Sequence, residues 1–420
     1  MLTVSAARRR LPSPVGLPLA GFLRRAQRGL PCEVQHDPLE INAAAFRDGD
    51  KAALLIAIDT LIAGPDLTAA ADALAQECFG PGTVALVAAS HTHFAPATDR
   101  TRPMLGEIAP AYVAAVHAAL RQVIVELRAA QTGPSVGLAS CAANANVHRR
   151  RRWPFPTLLW WVHRRIDRIV MAPNPKGPRD PVVRVAVLGA SSGAPLAVIW
   201  NYACHPVFYP REQAGTAEFV GYVRSAVRAH FHDPDLPVVF LQGFAGDVCP
   251  DIRPCRSFRT IAETLVLGPR WGRFTHESWT VWADGIAQAV LAAIRSAPVT
   301  PLEGSLEIES CGFPLKELVD GNLPQQTLAL ERLEIGNRWS MVALSAEAST
   351  AYADLLGLRE AWPVSCVGDV YGYLPTEAQR RAGGYEVDGY FAALGFHARL
   401  RPDSEQRVVE AFRNRFGERP

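Results

Sequence analysis

Three stretches of the sequence place chemically capable side chains directly after apolar runs. The first contains His91 and His93, the second ends in His205, and the third carries Asp247 and Cys249 in a Gly-rich and Pro-containing stretch. Side chains alternate along an extended chain, so His91 and His93 are expected on one side of it. Active sites of open α/β sheets form where several strands end in loops. The pattern favours a metal-dependent hydrolase centred on these strand ends.

A serine-hydrolase pattern is also present, but its context does not suit a nucleophile. Residues 189–193 read Gly-Ala-Ser-Ser-Gly and match GxSxG. The nucleophile elbow of serine hydrolases joins a strand to a helix. Here an apolar run of strand length precedes the motif and another, residues 196–203, follows it. We therefore predict a hairpin turn at this position.

The elements that must position these residues alternate along the chain. Hydrophobic periodicity predicts helices at 66–79, 109–130, 216–231, 278–296 and 349–361. Further strands are predicted at 181–188, 237–242, 305–312 and 330–344. This order favours an α/β fold with mixed sheets and flanking helices. Because no repeat or long polar linker interrupts residues 1–420, we predict a single large domain.

Composition excludes several classes of protein. Hydrophobic residues make up 49% and charged residues 20% of the 420 residues, which is typical of a globular chain. Lys and Arg number 43 against 41 Asp and Glu, so the net charge is only +2 and no nucleic-acid partner is expected. No apolar run reaches about 18 residues, so no transmembrane segment is expected. With no apolar helix behind Arg8-Arg9-Arg10, we expect no export signal and a cytoplasmic protein.

One segment, residues 149–170, flanks an aromatic stretch with basic residues. The simpler interpretation is a surface excursion whose aromatic side chains pack onto the domain. The alternative is a lid or mouth for an apolar substrate, because aromatic rings beside arginines suit an interface between water and lipid.

Several blocks of the sequence resemble the catalytic domain of the neutral/alkaline, non-lysosomal ceramidase family. The blocks occur in family order: SPVGLPLAGF (13–22), HDPLEINAAAFRDGDKAALLIAIDTL (36–61), VALVAASHTHFAP (84–96), NPKGPRDPVVRVAVL (174–188), AVIWNYACHP (197–206), VVFLQGFAGDVCP (238–250), LSAEASTAYADLL (344–356) and YGYLPTEAQRRAGGYE (371–386). No block resembles the immunoglobulin-like C-terminal domain of the full-length enzymes. The chain is therefore most similar to the short bacterial relatives, and the resemblance implies the ceramidase catalytic-domain fold.

The resemblance implies a Zn²⁺ site with four ligands. The positions that match the family's ligand motifs are His91, His205, Glu347 and Tyr373. Nitrogen and oxygen ligands of this kind suit Zn²⁺, which in hydrolases keeps a position open for water. Such an ion lowers the pKa of bound water and polarises a carbonyl group. His93 is not among the implied ligands, and we expect it to act as a general acid/base or to stabilise an oxyanion.

Simpler interpretations of these residues stay open. Without the resemblance, Glu347 would be assigned to the first turn of a helix, where a carboxylate is favourable. Tyr373 would be assigned to packing and His205 to the end of a strand. Seven further histidines have no partner block and are interpreted as structural or surface residues: His36, His117, His163, His230, His232, His276 and His397.

Cys249 departs from the family pattern, because the matching position in well-studied ceramidases is a serine implicated in amide cleavage. One interpretation is that the position varies and that a zinc-bound water performs the reaction. The other is that Cys249 is a nucleophile, with its pKa lowered by zinc or His93, that forms a thioester. An amine can resolve a thioester, so acyl transfer is then conceivable. Asp247 is expected either to orient His93 or a ligand, or to end the Gly turn.

The family also places an Asn/Arg element that contacts substrate near residues 144–152. Asn146 and Arg149 or Arg150 are the nearest matches, although the local sequence does not align cleanly. An arginine that faces the pocket would bind a polar or anionic group of the substrate.

The sequence thus predicts a zinc-dependent hydrolase of an amide bond. The substrate is expected to be either a ceramide-like lipid or a small N-acyl metabolite. A Cys249-dependent acyltransferase or amide synthase on the same scaffold is the first alternative. A metal- or lipid-binding module without catalysis is the second.

Overall fold

The computed structural model describes residues 1–153, 169–252, 262–263 and 268–417. The α-helices of these residues are α1 (Leu23–Arg28), α2 (Gly64–Phe79), α3 (Pro110–Glu126), α4 (Phe219–Phe231), α5 (His276–Ser296), α6 (Tyr352–Leu355), α7 (Glu377–Ala382), α8 (Tyr390–Ala393) and α9 (Ser404–Phe416). A π-helical turn spans Tyr385–Gly389, and 3₁₀ turns span Pro103–Leu105 and Leu315–Glu317.

The strands of the described residues are β1 (Thr3–Arg10), β2 (Val34–Gln35), β3 (Glu40–Asp48), β4 (Lys51–Ile58), β5 (Gly82–Ala89), β6 (Gln131–Thr132), β7 (Ser135–Ala142), β8 (Asn146–Arg152), β9 (Ile169–Asn174), β10 (Val182–Gly189), β11 (Pro195–Tyr202), β12 (Ala214–Gly215), β13 (Val238–Gln242), β14 (Val248–Pro250), β15 (Val299–Pro301), β16 (Leu306–Pro314), β17 (Val319–Gly321), β18 (Thr327–Ile335), β19 (Trp339–Leu344), β20 (Glu347–Ala348), β21 (Trp362–Val364), β22 (Tyr373–Leu374) and β23 (Ala398–Leu400).

Three larger sheets organise these strands. The first sheet has the order β5-β4-β3-β1-β6, the second β13-β11-β10-β7-β15 and the third β16-β18-β19-β21. Each mixes antiparallel hairpins with one parallel pair, namely β4–β5, β11–β13 and β19–β21. A three-stranded sheet, β14-β8-β9, and the short parallel pair β20–β22 complete the region of the candidate site.

The central strands are apolar because both faces of their sheets are covered. In β4, Leu54 and Ile56 join a cluster with side chains of α2, α3, α4 and α5. Their neighbours Ala53 and Leu55 point the opposite way and pack with strands of the third sheet. A strand buried on both faces is a continuous apolar run rather than an alternating one. The mixed α/β class predicted from the sequence is therefore confirmed.

The predicted helices form, with one exception. The helix expected at 349–361 is only the four-residue α6. Gly357 follows it with φ +70°, a left-handed conformation that ends the helix, and Pro363 lies in the next strand. The other four agree to within a few residues at each end, the largest difference being α3, which ends at Glu126 rather than at 130.

Turn chemistry explains two further features of the strands. The GxSxG segment is a turn between the antiparallel strands β10 and β11, as predicted. The strand expected at 330–344 is divided into β18 and β19 by Gly336 and Asn337, both with positive φ. Consecutive positive φ values are typical of a two-residue hairpin turn. The sequence analysis did not predict β1, which carries Arg8, Arg9 and Arg10.

Most of the aromatic and basic segment, residues 154–168, lies outside the described residues, so the lid prediction stays untested. Among the helices of the described residues, none combines the length and apolar character needed to cross a bilayer.

Candidate metal centre

Two histidines and one glutamate converge in the interior of the protein. Glu347 Oε2 lies 3.1 Å from His205 Nε2 and 3.2 Å from His91 Nε2. The opposite ring nitrogens are anchored to the backbone, His91 Nδ1 at 2.8 Å from Leu61 O and His205 Nδ1 at 2.8 Å from Ala245 O. A carbonyl oxygen can only accept, so each Nδ1 carries a proton, and each Nε2 faces Glu347 Oε2, where a proton or a metal ion would lie between the two atoms. Histidines that bind metals are held in this way.

The backbone places His91 by a turn rather than by strand alternation. Strand β5 ends at Ala89, and His91 has φ +64°, a left-handed conformation. The expectation that His91 and His93 share a side because the chain is extended is therefore wrong. Their rings are nevertheless neighbours, with centroids 5.4 Å apart. Cys366, which also has positive φ, accepts a hydrogen bond from Ala89 N and so fixes the end of β5.

Glu347 and Tyr373 reach the centre from a pair of short parallel strands. They lie directly opposite each other in the pair β20–β22, and Glu347 N donates to Gly372 O at 2.8 Å. Glu347 is therefore on a strand and not in the first turn of a helix, which rules out the simpler interpretation of this residue. Burial and the charge of Glu347 raise the pKa of Tyr373 well above its usual range.

His93 adds a third imidazole to the cluster. One ligand atom from each of His91, His93 and His205 lies within 4.8 Å of the other two. Neither ring nitrogen of His93 has a hydrogen-bond partner among the described residues. A Cβ on Gly21 would lie only 2.6 Å from His93 Nδ1, so a glycine is required beside the ring. The structure thus places His93 among the candidate ligands, although the resemblance does not.

The electrostatics of the cluster favour a bound cation. Although burial alone would raise the pKa of Glu347, the charges of His91 and the hydrogen bond from His205 hold it well below its usual range. Burial and the charge of Arg149 lower the pKa of His205 to about 4, and burial and the neighbouring His91 lower that of His93 well below its usual value. Although burial alone would lower the pKa of His91, the neighbouring Cys366 and Glu347 raise it well above its usual value. The cluster therefore combines a buried carboxylate and a charged His91 with two imidazoles of lowered pKa. Buried nitrogens without partners together with an ionised carboxylate suit a metal ion.

Cys249 lies next to this cluster, in contact with an arginine. It is 2% exposed, and Arg149 Nη1 lies 3.9 Å from its sulfur. Burial raises the pKa of the Cys249 thiol, against the opposing charge of Arg149. The sequence predicts a pKa lowered by zinc or His93, whereas among the described residues burial outweighs the lowering effect of Arg149. The guanidinium carbon of Arg149 lies 5.2 Å from the ring centroid of Tyr373.

Asp247 does not orient His93. Its side chain accepts from Thr350 N at 2.9 Å and from Gln379 Nε2 at 2.7 Å, and it lies 3.5 Å from His148 Nε2. Asp247 is completely buried, so these partners satisfy a carboxylate that would otherwise be costly. Its role in this structure is to join the loop after β13 to the segments that follow β20 and β22.

The Asn/Arg element is divided between the centre and the scaffold. Asn146 Nδ2 donates to Asp180 O and Ala203 O at 2.7 and 2.6 Å, while its Oδ1 has no partner among the described residues. Arg150 donates to Gly383 O at 2.6 Å and pairs with Glu386, which leaves it engaged with the loop after α7. Arg149 is the arginine that faces Cys249 and Tyr373. The register of β8 shifts between residues 148 and 150, and this bulge turns Arg149 and Arg150 toward the same carboxylate.

Comparison with solved structures identifies the architecture. A neutral ceramidase from Pseudomonas aeruginosa superposes with a TM-score of 0.72 over 99% of this chain and 74% of that one, at 13% sequence identity. A ceramidase complexed with C2 gives 0.71 over 99% and 75%, also at 13% identity. The chain has a neutral ceramidase-like fold. No protein-family model matches the sequence, and no curated protein matches it.

Within the neutral ceramidase-like fold, the sequence analysis missed two buried partners of the site. His148 was not considered, although it pairs with Asp247, and Glu386 was not recognised as the partner of Arg149. Glu386 is 237 residues away from Arg149 in sequence. The only local sign of its position is the short π-helical turn that contains it. Such turns are rare in proteins, but those that occur are often at functional sites.

An apolar groove of about 400 Å³ lies beside His93. Its walls include Phe22, Phe94 and Phe274, with Arg273 at the same surface. The Phe22 ring lies 5.1 Å from the His93 ring, centroid to centroid. The groove also includes Glu212, and it reaches His93 only through the Phe22 ring. The phenylalanine side of a groove of this size is suited to an apolar part of a small ligand.

Proposed function

We propose that this protein is a zinc-dependent hydrolase that cleaves an amide bond. The observation that carries the proposal is the convergence of His91 Nε2 and His205 Nε2 on one oxygen of Glu347, with both opposite nitrogens anchored to carbonyl groups. The arrangement presents two ring nitrogens and a carboxylate to one point in a buried site. The fold shared with two ceramidase structures supports the same reaction class.

His91, His205, Glu347 and Tyr373 would hold the ion, and His93 is close enough to join them. Bound Zn²⁺ lowers the pKa of a water molecule and polarises a carbonyl oxygen. His93 is neutral near pH 7 and has two unpaired ring nitrogens, so it can take a proton from the attacking water and return it to the leaving amine. Arg149 presents a permanent positive charge on the side of Tyr373.

The groove beside His93 supports an N-acyl substrate. The three phenylalanine side chains offer an apolar wall to the acyl group, which would place the amide carbonyl next to His93. The acyl compound is either a ceramide-like lipid, as the names of the two structural neighbours suggest, or a smaller N-acyl metabolite. The lipid and the smaller metabolite differ in the group that is attached to the amide nitrogen.

The test is amide cleavage by the zinc-supplemented protein, followed as release of the fatty acid from a panel of N-acyl amides. We expect turnover that is abolished by a chelator, restored by zinc and absent in His205→Ala. His117→Ala, on α3 and away from the cluster, is the matched control and should retain full activity. Turnover that survives removal of all metal would contradict the proposal.

Replacement of Cys249 by Ser separates water attack from a thioester route. Because burial raises the pKa of this thiol, we expect water to be the nucleophile and the rate to fall by less than about tenfold. A nucleophilic cysteine would instead lose on the order of 10³-fold or more in kcat. The matched control is Cys204→Ser, a second buried cysteine.

A further inference from the structure

The guanidinium of Arg149 is buried but only partly paired. Arg149 is 3% exposed, and its Nε donates to Glu386 Oε1 at 2.8 Å. Its Nη1 faces the sulfur of Cys249 at 3.9 Å. The remaining nitrogen, Nη2, is buried without any hydrogen-bond partner among the described residues. A buried cationic donor without a partner is costly, so a ligand that supplies an acceptor here is favoured.

The charges around Arg149 do not balance. Glu386 is the carboxylate that pairs with Arg149, and it pairs with Arg150 as well. Two permanent cations therefore share one anion. Cys249 and the ring of Tyr373 also contact the guanidinium, but neither side chain is a carboxylate. Within the described residues the group carries one positive charge more than its partners compensate.

This excess charge lies at the edge of the metal centre. The Arg149 guanidinium packs on the ring of Tyr373, which is directly opposite Glu347 in the β20–β22 pair. The apolar groove, in contrast, adjoins His93. The centre is therefore bordered by an apolar wall at His93 and by an unbalanced cation at Arg149.

We propose that the substrate carries a carboxylate that binds Arg149, so that the protein cleaves N-acyl amino acids in preference to neutral N-acyl amines. In such compounds the carboxylate is two bonds from the amide nitrogen, so one molecule can reach both borders of the centre. The acyl chain occupies the groove and the carboxylate accepts from Nη2. This inference rests on the proposed hydrolase function.

The experiment compares N-octanoylglycine with its neutral isostere N-octanoylglycinamide on the zinc-supplemented protein. Both kcat/KM for release of octanoate and the dissociation constant from calorimetry are measured. We expect the acid to be preferred by at least about tenfold, since hydrogen bonds between two charged groups are about twice as strong as neutral ones. Arg149→Gln should reduce the preference to near unity, and Arg149→Lys should retain part of it. Arg151→Gln, an exposed arginine two residues away, should leave the preference unchanged.

Each other outcome is decisive. If both compounds are cleaved equally well, the hydrolase stands and the carboxylate inference is overturned. If neither compound is cleaved but the acid binds more tightly through Arg149, the carboxylate site stands and hydrolysis of these amides does not. If Arg149→Gln binds the acid as tightly as the unmodified protein, the inference is overturned whatever the rates.

Discussion

Two buried clusters of ionisable side chains in this protein differ in how completely they are paired. In the first, Glu40 accepts from Arg228 Nη1 and Nη2 at 2.9 and 2.8 Å, from Arg8 at 3.2 Å and from Asn42 at 3.1 Å. Both oxygens of the carboxylate thus have two partners. In the second, at the candidate metal centre, His91 Nε2 and both nitrogens of His93 have no hydrogen-bond partner among the described residues.

The difference distinguishes a cluster that stabilises the fold from one prepared for a ligand. Although burial alone would raise the pKa of Glu40, the hydrogen bonds and charges of Arg228 and Arg224 lower it to about 2. Arginine cannot release its proton in a protein, so this network depends on Glu40. Imidazoles can become neutral, so the histidines of the candidate metal centre can stay buried without a carboxylate beside them. Burial and charge alone would not separate the two clusters, but the unpaired atoms do: among the described residues the first cluster has one, Arg224 Nε, and the second has three.

The largest effect is expected from Glu40→Ala. The substitution removes the carboxylate that pairs with Arg228, whereas Arg8 and Arg224 keep Asp235 and Asp59. Breaking a buried ion pair in this way costs about 3–5 kcal/mol. Urea denaturation should show the loss in the free energy of unfolding. A loss below about 1 kcal/mol, which is the range of exposed pairs, would mean that the network is not structural.

Zinc should produce the next largest change in the free energy of unfolding, and it should act only through the cluster at the candidate metal centre. A ligand that binds the folded state alone stabilises it by about 2.7 kcal/mol at 100 times its dissociation constant and by about 4.1 kcal/mol at 1,000 times. We expect this gain in the unmodified protein and in the control His230→Ala, and we expect its loss in His205→Ala. Stabilisation of His205→Ala by the same zinc concentration would show that the ion binds elsewhere.

A third buried carboxyl group, that of Glu218, is intermediate between the two clusters in its pairing. It has hydrogen-bond donors, but those among the described residues are neutral N–H groups. Phe208 N and Trp279 Nε1 donate to Oε1 at 3.0 and 3.2 Å, and Phe219 N donates to Oε2 at 2.6 Å. Burial outweighs these bonds and raises the pKa of Glu218 to about 7 from its ordinary 4.5.

Because its folded-state pKa is raised, Glu218 binds a proton in the folded protein over a pH range in which the unfolded chain has lost it. Its contribution to stability should therefore fall as the pH rises from about 4.5 to 7 and stay constant above that range, with a slope of up to about 1.4 kcal/mol per pH unit. The difference in unfolding free energy between the unmodified protein and Glu218→Gln, measured across this range, isolates the contribution. A difference that does not change with pH would contradict it.

The smallest effect is expected from Glu347→Gln in protein treated with a chelator. Loss of the carboxylate lets His91 become neutral, so no buried charge is left unpaired and the unfolding free energy should change by less than about 1 kcal/mol. The matched substitution Glu40→Gln should cost clearly more. Equal losses in the two variants would remove the distinction between the clusters.

The sequence predicted much of the scaffold because its signals are local. Helices α2, α4 and α5 follow from apolar periodicity, and the turn at 189–193 follows from the strands on both sides of it. The resemblance in block order pointed to the ceramidase fold, which the structural comparison confirms. It also named four residues, His91, His205, Glu347 and Tyr373, that the fold brings together; their role as ligands stays a prediction.

The sequence could not predict features that depend on distant partners or on unusual backbone conformations. His91 reaches the centre through a positive φ, which no alternation pattern signals. Asp247 was expected to have a role in orienting His93, but its partners Thr350 and Gln379 are more than 100 residues away. Arg149 and Arg150 were equivalent in sequence, and only the bulge in β8 and the contacts of Glu386 distinguish them.

The most direct test of the account is the zinc content of the purified protein, measured by elemental mass spectrometry. The account predicts about one zinc per chain, and its loss when His91 and His205 are both changed to Ala. The control His117→Ala should keep its zinc. No zinc in the unmodified protein, even after zinc is supplied, would contradict the metal centre and with it the proposed hydrolase mechanism.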